Sequence, residues 1–356
     1  MKKNIFEPNL MQKPLILNPK NRSDARQLNA LFRNKSTHII DEFLKQKEEL
    51  LLIKNPKLLK EGKRPSCTAK AREGRWIYFP WRNLLVHCLS ANEYQLIRTS
   101  RNHNLITKSE QKKFENAVIG IAGLNVGNPV AICVALESGS RKLMKLADND
   151  FLSLSNFNRF RAGLPDLGKN KAVLTAEQIW EIDPYARLEI LPKGIEPHMI
   201  EKFFLKPRID ILVEEMDNLP LKIAMREYAK KYKIPVLMVT GNGAGLIIDI
   251  ERYDLNPKLP ILNGMLDKEV LRKIKRGVIS FAEKVELSRD FMKAKNLVPR
   301  LRQSFRLVGD SLAGIPQIAE ASFLRGAVVC NLARRIMAGD RVKSGRYFID
   351  LDVMSR

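Results

Sequence analysis

Between Asn116 and Glu137 the chain passes from a solid apolar run, Val118-Ile-Gly-Ile-Ala122, through the turn Gly123-Leu-Asn-Val-Gly127, into a stretch from Pro129 with amphipathic, helical spacing. An apolar run without alternation is buried on both faces, which places this strand inside a parallel sheet. Gly123 and Gly127 permit the tight turn that follows, and the start of the next helix offers unpaired backbone N–H groups suited to phosphate. A second strand, Lys142-Leu-Met-Lys-Leu-Ala147, ends in Asp148. That acid comes about twenty residues beyond Gly127, the spacing of a carboxylate that meets ribose hydroxyls. Strand, turn, helix, strand and acid together describe a nucleotide site. Ala122 and Asn125 stand where a dinucleotide fingerprint often has glycine, so NAD is disfavoured as the nucleotide.

The residues downstream narrow the chemistry. Asp148-Asn-Asp150 is followed by Ser155-Asn-Phe-Asn-Arg159, then Gly168-Lys-Asn-Lys171, then Asp217-Asn218 after the apolar run ending in Glu214. In this order the motifs resemble those of the ThiF/MoeB/HesA superfamily, the ubiquitin-activating-enzyme-like adenylyltransferases. The turn Gly-Leu-x-Val-Gly is closest to that of a bacterial subgroup. The resemblance covers roughly residues 98–338. It implies an α/β fold with a doubly wound, mostly parallel sheet, Rossmann-like and of ThiF type, preceded by an N-terminal helical and aromatic extension. It also implies ATP as substrate and Mg2+ as the metal.

The physical task of such an enzyme is specific. A carboxylate repels nucleophiles and has a poor leaving group, whereas an acyl adenylate carries AMP, which departs readily. Forming the adenylate requires the ATP α-phosphorus to lie in line with the carboxylate, and charge gathering on pyrophosphate to be offset. Lys171, Arg159 and Asn156 lie on segments that follow strand ends and supply an amine, a forked guanidinium and a neutral donor. Gly123, Asn125, Gly127 and Asp148 form the nucleotide turn. Asp150 joins them, with the orientation of Arg159 as its other reading. By resemblance Asp217 is the magnesium ligand, in keeping with that ion's use of few carboxylates. Upstream, Arg98-Thr-Ser-Arg101 resembles the superfamily's Arg-x-x-Arg, which implies a homodimer in which Arg101 enters the partner's ATP site, as arginine fingers do. Taken singly, these residues have plainer readings: Asp148 as a turn cap, Asn156 as an Asx turn, Lys171 on an exposed helix.

Three expected segments follow: residues 1–97 as an extension, partly helical or disordered, with an aromatic docking segment at 75–90; residues 98–338 as the ATP-binding adenylation domain; and residues 339–356 as a C-terminal strand or tail. Helical spacing runs from Leu28 to Leu52. Strands are expected at 118–122, 143–147, 187–191, 209–214, 236–240 and 246–251. The basic stretch up to Arg306 has two readings, a crossover loop that embraces a modifier's tail or a charged surface helix or flexible insertion.

The 356 residues, 45% of them hydrophobic, suffice for a large core. No apolar run approaches the length of a transmembrane helix, and the opening Met1-Lys-Lys-Asn-Ile-Phe-Glu-Pro lacks a signal-peptide core, so the expected location is cytoplasmic, with no membrane partner. Cys67, Cys88, Cys133 and Cys330 form no Cys-x-x-Cys pair; no zinc is expected, and no thioester cysteine lies between Val134 and Val329. The net charge of +23 suits an acidic protein or ATP. Nucleic acid ranks lower, because the basic residues are not gathered beside stacking aromatics.

The expected function is therefore ATP-dependent adenylation of a carboxylate, foremost the C-terminal tail of a ubiquitin-like or sulfur-carrier protein. A carboxylate on modified tRNA, as in the threonylcarbamoyl-adenosine dehydratases, is the competing substrate. A nucleotide-binding scaffold without turnover is the alternative outside catalysis.

Overall fold

The computed structural model describes residues 12–352 apart from 71, 278 and 279. The expected lack of a signal peptide at the opening, and the last residues of the C-terminal tail, lie outside the described residues. The chain forms two compact units. One runs to Lys108 and takes in Glu177–Ala186; the other comprises Ser109–Ala176 and the chain from Arg187 onward.

The first unit is built on a four-stranded sheet of β1 (Leu15–Leu17), β2 (His38–Asp41), β3 (Arg75–Phe79) and β4 (Leu84–Cys88), in the order β1-β3-β4-β2. β3 pairs antiparallel with both β1 and β4, while β2 runs parallel to β4. The helical spacing from Leu28 to Leu52 resolves into two helices, Arg22–Arg33 and Phe43–Lys54, with β2 between them. Asn34 ends the first, its side chain accepting from the Ser36 N–H at 3.1 Å and turning the chain toward β2. The aromatic stretch 75–90 is spent inside this unit. Trp76 packs with Leu17, Leu28 and Leu85, and Ile77 with Phe79 and Cys88. The His87 ring is stacked between Phe43 and Trp76, with centroid distances of 4.1 and 4.2 Å. Residues 177–186 complete the unit. Glu181 accepts from Trp81 Nε1 at 2.6 Å and Arg82 Nε at 2.8 Å, Tyr94 donates to the Ile182 carbonyl at 2.6 Å, and Tyr185 donates to the Leu89 carbonyl at 2.6 Å.

The second unit carries a seven-stranded sheet of β5 (Val118–Ala122), β6 (Leu143–Ala147), β7 (Leu188–Leu191), β8 (Ile211–Glu214), β9 (Val236–Asn242), β10 (Gly245–Glu251) and β11 (Gly345–Ile349). The order is β11-β10-β9-β8-β5-β6-β7. β7, β6, β5, β8 and β9 are mutually parallel, and β10 and β11 add antiparallel pairs at one side. All six strands expected from apolar runs are present, which makes this the mostly parallel α/β sheet anticipated. β5 has β6 on one side and β8 on the other, so the chain leaves it in opposite directions and opens a crevice beyond its carboxyl end.

The basic stretch 257–306 folds as helices Lys268–Arg276, Phe281–Met292 and Pro299–Leu307. Apolar residues spaced among its lysines and arginines explain why. Ile274, Leu287 and Phe291 pack on Leu219, Ile223 and Met238, while Leu301 and Phe305 pack on Ile247. The helix Ala319–Ala338 lies so close to Gly127–Leu136 that a Cβ on Gly326 would come 2.6 Å from the Pro129 carbonyl oxygen. Among the described residues no helix is long and apolar enough to cross a membrane.

Candidate nucleotide site at the carboxyl edge of the sheet

The turn after β5 is fixed by its neighbours. Gly123 adopts φ +87, and a Cβ there would lie 2.5 Å from the backbone carbonyl of Glu215, which follows β8. Only glycine allows the two strand ends to approach this closely. Gly127 is close-packed too, with a Cβ position 2.9 Å from the Ile121 side chain. Asp148 braces the turn from the next strand. Its Oδ2 accepts from the Leu124 N–H at 2.5 Å and its Oδ1 from the Asp150 N–H at 2.8 Å. Burial pushes the Asp148 carboxyl up, outweighing these two N–H groups and the charge of Lys171. Lys171 is buried rather than on an exposed helix face, and its Nζ lies 3.1 Å from Asp150 Oδ2. Asp150 thus orients Lys171, not Arg159.

Beyond these residues opens a cavity of about 540 Å³. Asn125, Arg159 and Asp217 line it, facing Lys284 and Ser288 of the helix Phe281–Met292 and the segment 313–317. A deeper pocket of about 130 Å³ shares Asp217, Ser288, Ile315, Pro316 and Gln317 with it. The polar atoms here are under-used. Asn125 Oδ1, Arg159 Nε, Gln317 Oε1 and both Nε and Nη1 of Arg325 are buried with no hydrogen-bond partner among the described residues. Such atoms cost free energy until a ligand meets them. Arg159 donates through Nη1 to the Ser155 carbonyl at 3.0 Å and to Asn158 Oδ1 at 2.8 Å, which aims its fork. Burial lowers its pKa, and Asp217 opposes the shift.

The sequence candidates therefore divide. Asn125, Arg159 and Asp217 meet in one cavity, whereas Gly123, Gly127, Asp148, Asp150 and Lys171 form the frame of the adjoining turn. Asn156 lines neither pocket. Its Oδ1 accepts from the Ser153 N–H and hydroxyl, both at 3.1 Å, so the side chain caps a local turn instead of facing the cavity. Arg101 belongs to the first unit, exposed in the 3₁₀ turn Ser100–Asn102. Arg325 was not among the candidates. It sits on the buried stripe Ala321, Ser322, Arg325, Gly326, Val329 and Cys330 of its helix, and a charge on an apolar stripe is the trace that could have found it. Cys133 and Cys330, remote in sequence, are neighbours in space. A hydrogen bond to Cys330 lowers the Cys133 thiol, while the same bond and burial push Cys330 up. Neither lines the cavity.

With this geometry in view, the model of the ThiF family matches residues 99–249. That stretch of the chain is ThiF-like. The match includes Asn125, Arg159 and Asp217, while Gln317 and Arg325 lie beyond it. Over 340 residues the chain is 32% identical to the uncharacterized protein MT1398 of Mycobacterium tuberculosis (strain CDC 1551 / Oshkosh), a match that covers 95% of the chain and 45% of that protein. It is 31% identical over 133 residues to the tRNA threonylcarbamoyladenosine dehydratase of Escherichia coli (strain K12), covering 37% of the chain and 47% of that enzyme. The chain thus spans about half the length of the curated relatives it matches. Two solved structures share the fold. The crystal structure of PaaA superposes with a TM-score of 0.50 at 16% identity, covering 93% of this chain and 84% of that one. E. coli MccB with MccA-N7isoASN gives 0.50 at 16% identity, covering 72% and 67%.

Proposed function

We propose that the ThiF-like domain activates a carboxylate by transferring AMP to it from ATP. The observation that carries this reading is the convergence of Asn125, Arg159 and Asp217 on one cavity at the switch point of the sheet, with polar atoms of Asn125 and Arg159 awaiting partners. The carboxylate oxygen attacks the α-phosphorus, the bond to the β-phosphate oxygen breaks, and pyrophosphate leaves with the electron pair. Arg159 offsets charge on the phosphates, Asn125 contributes its amide, and the braced turn of Gly123, Gly127 and Asp148 holds the nucleoside end. Lys171, steadied by Asp150, adds a second cation. Asp217, exposed to the cavity, is the residue suited to magnesium. No group of three or more metal-binding side chains gathers among the described residues. That fits an ion carried largely by phosphate and water oxygens, which would neutralise the departing pyrophosphate.

The acyl substrate we favour is the C-terminal tail of a ubiquitin-like or sulfur-carrier protein, with Arg101 supplied across a homodimer. The tRNA carboxylate is the second reading, supported by the name of the E. coli relative and by the charge of +23. ATP–pyrophosphate exchange separates them. Stimulation by a small protein ending in Gly-Gly supports the first substrate, and stimulation by tRNA the second. Nucleotide binding without exchange in either case would leave a scaffold and sink the proposal. Asp217→Ala should lower exchange by at least about a hundredfold with the fold intact.

A further inference from the structure

Arg325 is the least satisfied charge in the second unit. It is only 3% exposed, and its Nε and Nη1 have no hydrogen-bond partner among the described residues. The nearest carboxylate, Glu215 Oε2, stands 4.0 Å from Nε. Glu215 is a poor counterion for a further reason. Its Oε1 already accepts from the Val239 N–H at 2.8 Å. A buried guanidinium left in this state costs several kcal/mol unless an anion reaches it.

The surroundings limit what that anion can be. Arg325 borders the deeper pocket of about 130 Å³, walled by Met238, Phe291, Met292 and Leu301 and open to Asp217. That space is too small for a nucleotide. It matches one small carboxylate, an anion that a guanidinium holds by charge-assisted hydrogen bonds.

We propose that Arg325 receives the carboxylate that is to be activated, holding it in the deeper pocket beside the nucleotide cavity. This rests on the adenylation reading for its purpose, although the anion site can be tested without ATP. One carboxylate oxygen lies against the fork of Arg325. The other is left to attack the α-phosphorus, so the same contact both captures the acid and aims it.

The probe is sodium acetate, titrated against matched sodium chloride, with thermal unfolding of the full chain as readout. Acetate should raise the unfolding midpoint of the parent. Arg325→Met should bind acetate roughly tenfold or more weakly, and Arg325→Lys should recover part of the effect. Because Nε and Nη1 of Arg325 make no hydrogen bond among the described residues, Arg325→Met should lose little stability without ligand, whereas a purely structural arginine would leave the variant markedly less stable. AMP binding, followed by calorimetry, should survive the substitution. Absence of an acetate effect in the parent, an effect that persists in Arg325→Met, or loss of AMP binding with it would each overturn the assignment. So would inorganic phosphate replacing acetate as the Arg325-dependent anion. Failure of ATP–pyrophosphate exchange alone would count against the adenylation reading and leave the carboxylate site standing.

Discussion

Glu214 and Glu215 follow one another at the end of β8 yet meet opposite surroundings. Burial pushes the Glu214 carboxyl up, but Lys222 and Arg226 more than reverse this and leave it below the ordinary range. At Glu215 burial wins over Arg325, Lys222 and the Val239 N–H, with Glu214 adding to the upward push. A folded value near 7, against about 4.3 for a free glutamate, means that the fold prefers the protonated acid. Stability owed to this residue is therefore complete below about pH 4 and drains away as pH rises toward 7, by about 4 kcal/mol in all. Glu215→Gln keeps an acceptor for Val239 and removes the titration. Urea midpoints at pH 5 and pH 8 should fall more for the parent than for the variant; equal falls would refute the assignment. At this scale the sequence offered Asp148 through its spacing from the strands, Asn125 through the glycine turn, and Arg159 and Asp217 through their motif order, and the structure brings Asn125, Arg159 and Asp217 to one cavity. Asn156 stands apart from that cavity, since its Oδ1 caps its own turn, and in one dimension such an amide looks like one offered to phosphate. Arg325 escaped because the pocket it borders is lined by residues far away in sequence, among them Glu215 and Asp217 after β8.

The strands of the parallel sheet were legible as unbroken apolar runs, since each is covered on both faces. β1 and β2 were not. They are three and four residues long, and all four residues of β2 are exposed. The helices between Lys268 and Leu307 were ambiguous for a different reason, because their few apolar anchors are outnumbered by charge. What ties the sheet to its flanking helix is electrostatic as well as apolar. Arg226, on Leu219–Lys231, bridges Glu214 of β8 and Glu251 of β10, the second contact at 2.8 Å, and all three are fully buried. Glu251 also accepts from the Leu262 N–H at 2.7 Å and from the Tyr253 hydroxyl, so it holds a loop in place. Arg226→Met would leave the buried Glu251 without its cation and Glu214 with Lys222 alone, and should cost about 3 to 5 kcal/mol in urea denaturation. A loss below about 1 kcal/mol would mean that the carboxylates find other partners or protons.

The division of the whole chain could not be read from the order of its motifs, because the first unit is discontinuous. Its last pieces, Glu181, Ile182 and Tyr185, arrive through a segment that follows the nucleotide turn. A fragment ending at Lys108 would leave Trp81, Arg82 and Tyr94 without these partners. Each lost hydrogen bond is worth about 1 kcal/mol, and in a unit this small their sum rivals the total stability. We expect such a fragment to show poor amide dispersion and no cooperative melting, and a well-dispersed spectrum would contradict this. During synthesis the same discontinuity sets a timetable. The N-terminal sheet must wait on the ribosome until Ala186 has emerged, by which time β5, its glycine turn and β6 are already outside. The first unit is therefore not completed until the nucleotide turn of the second has been made.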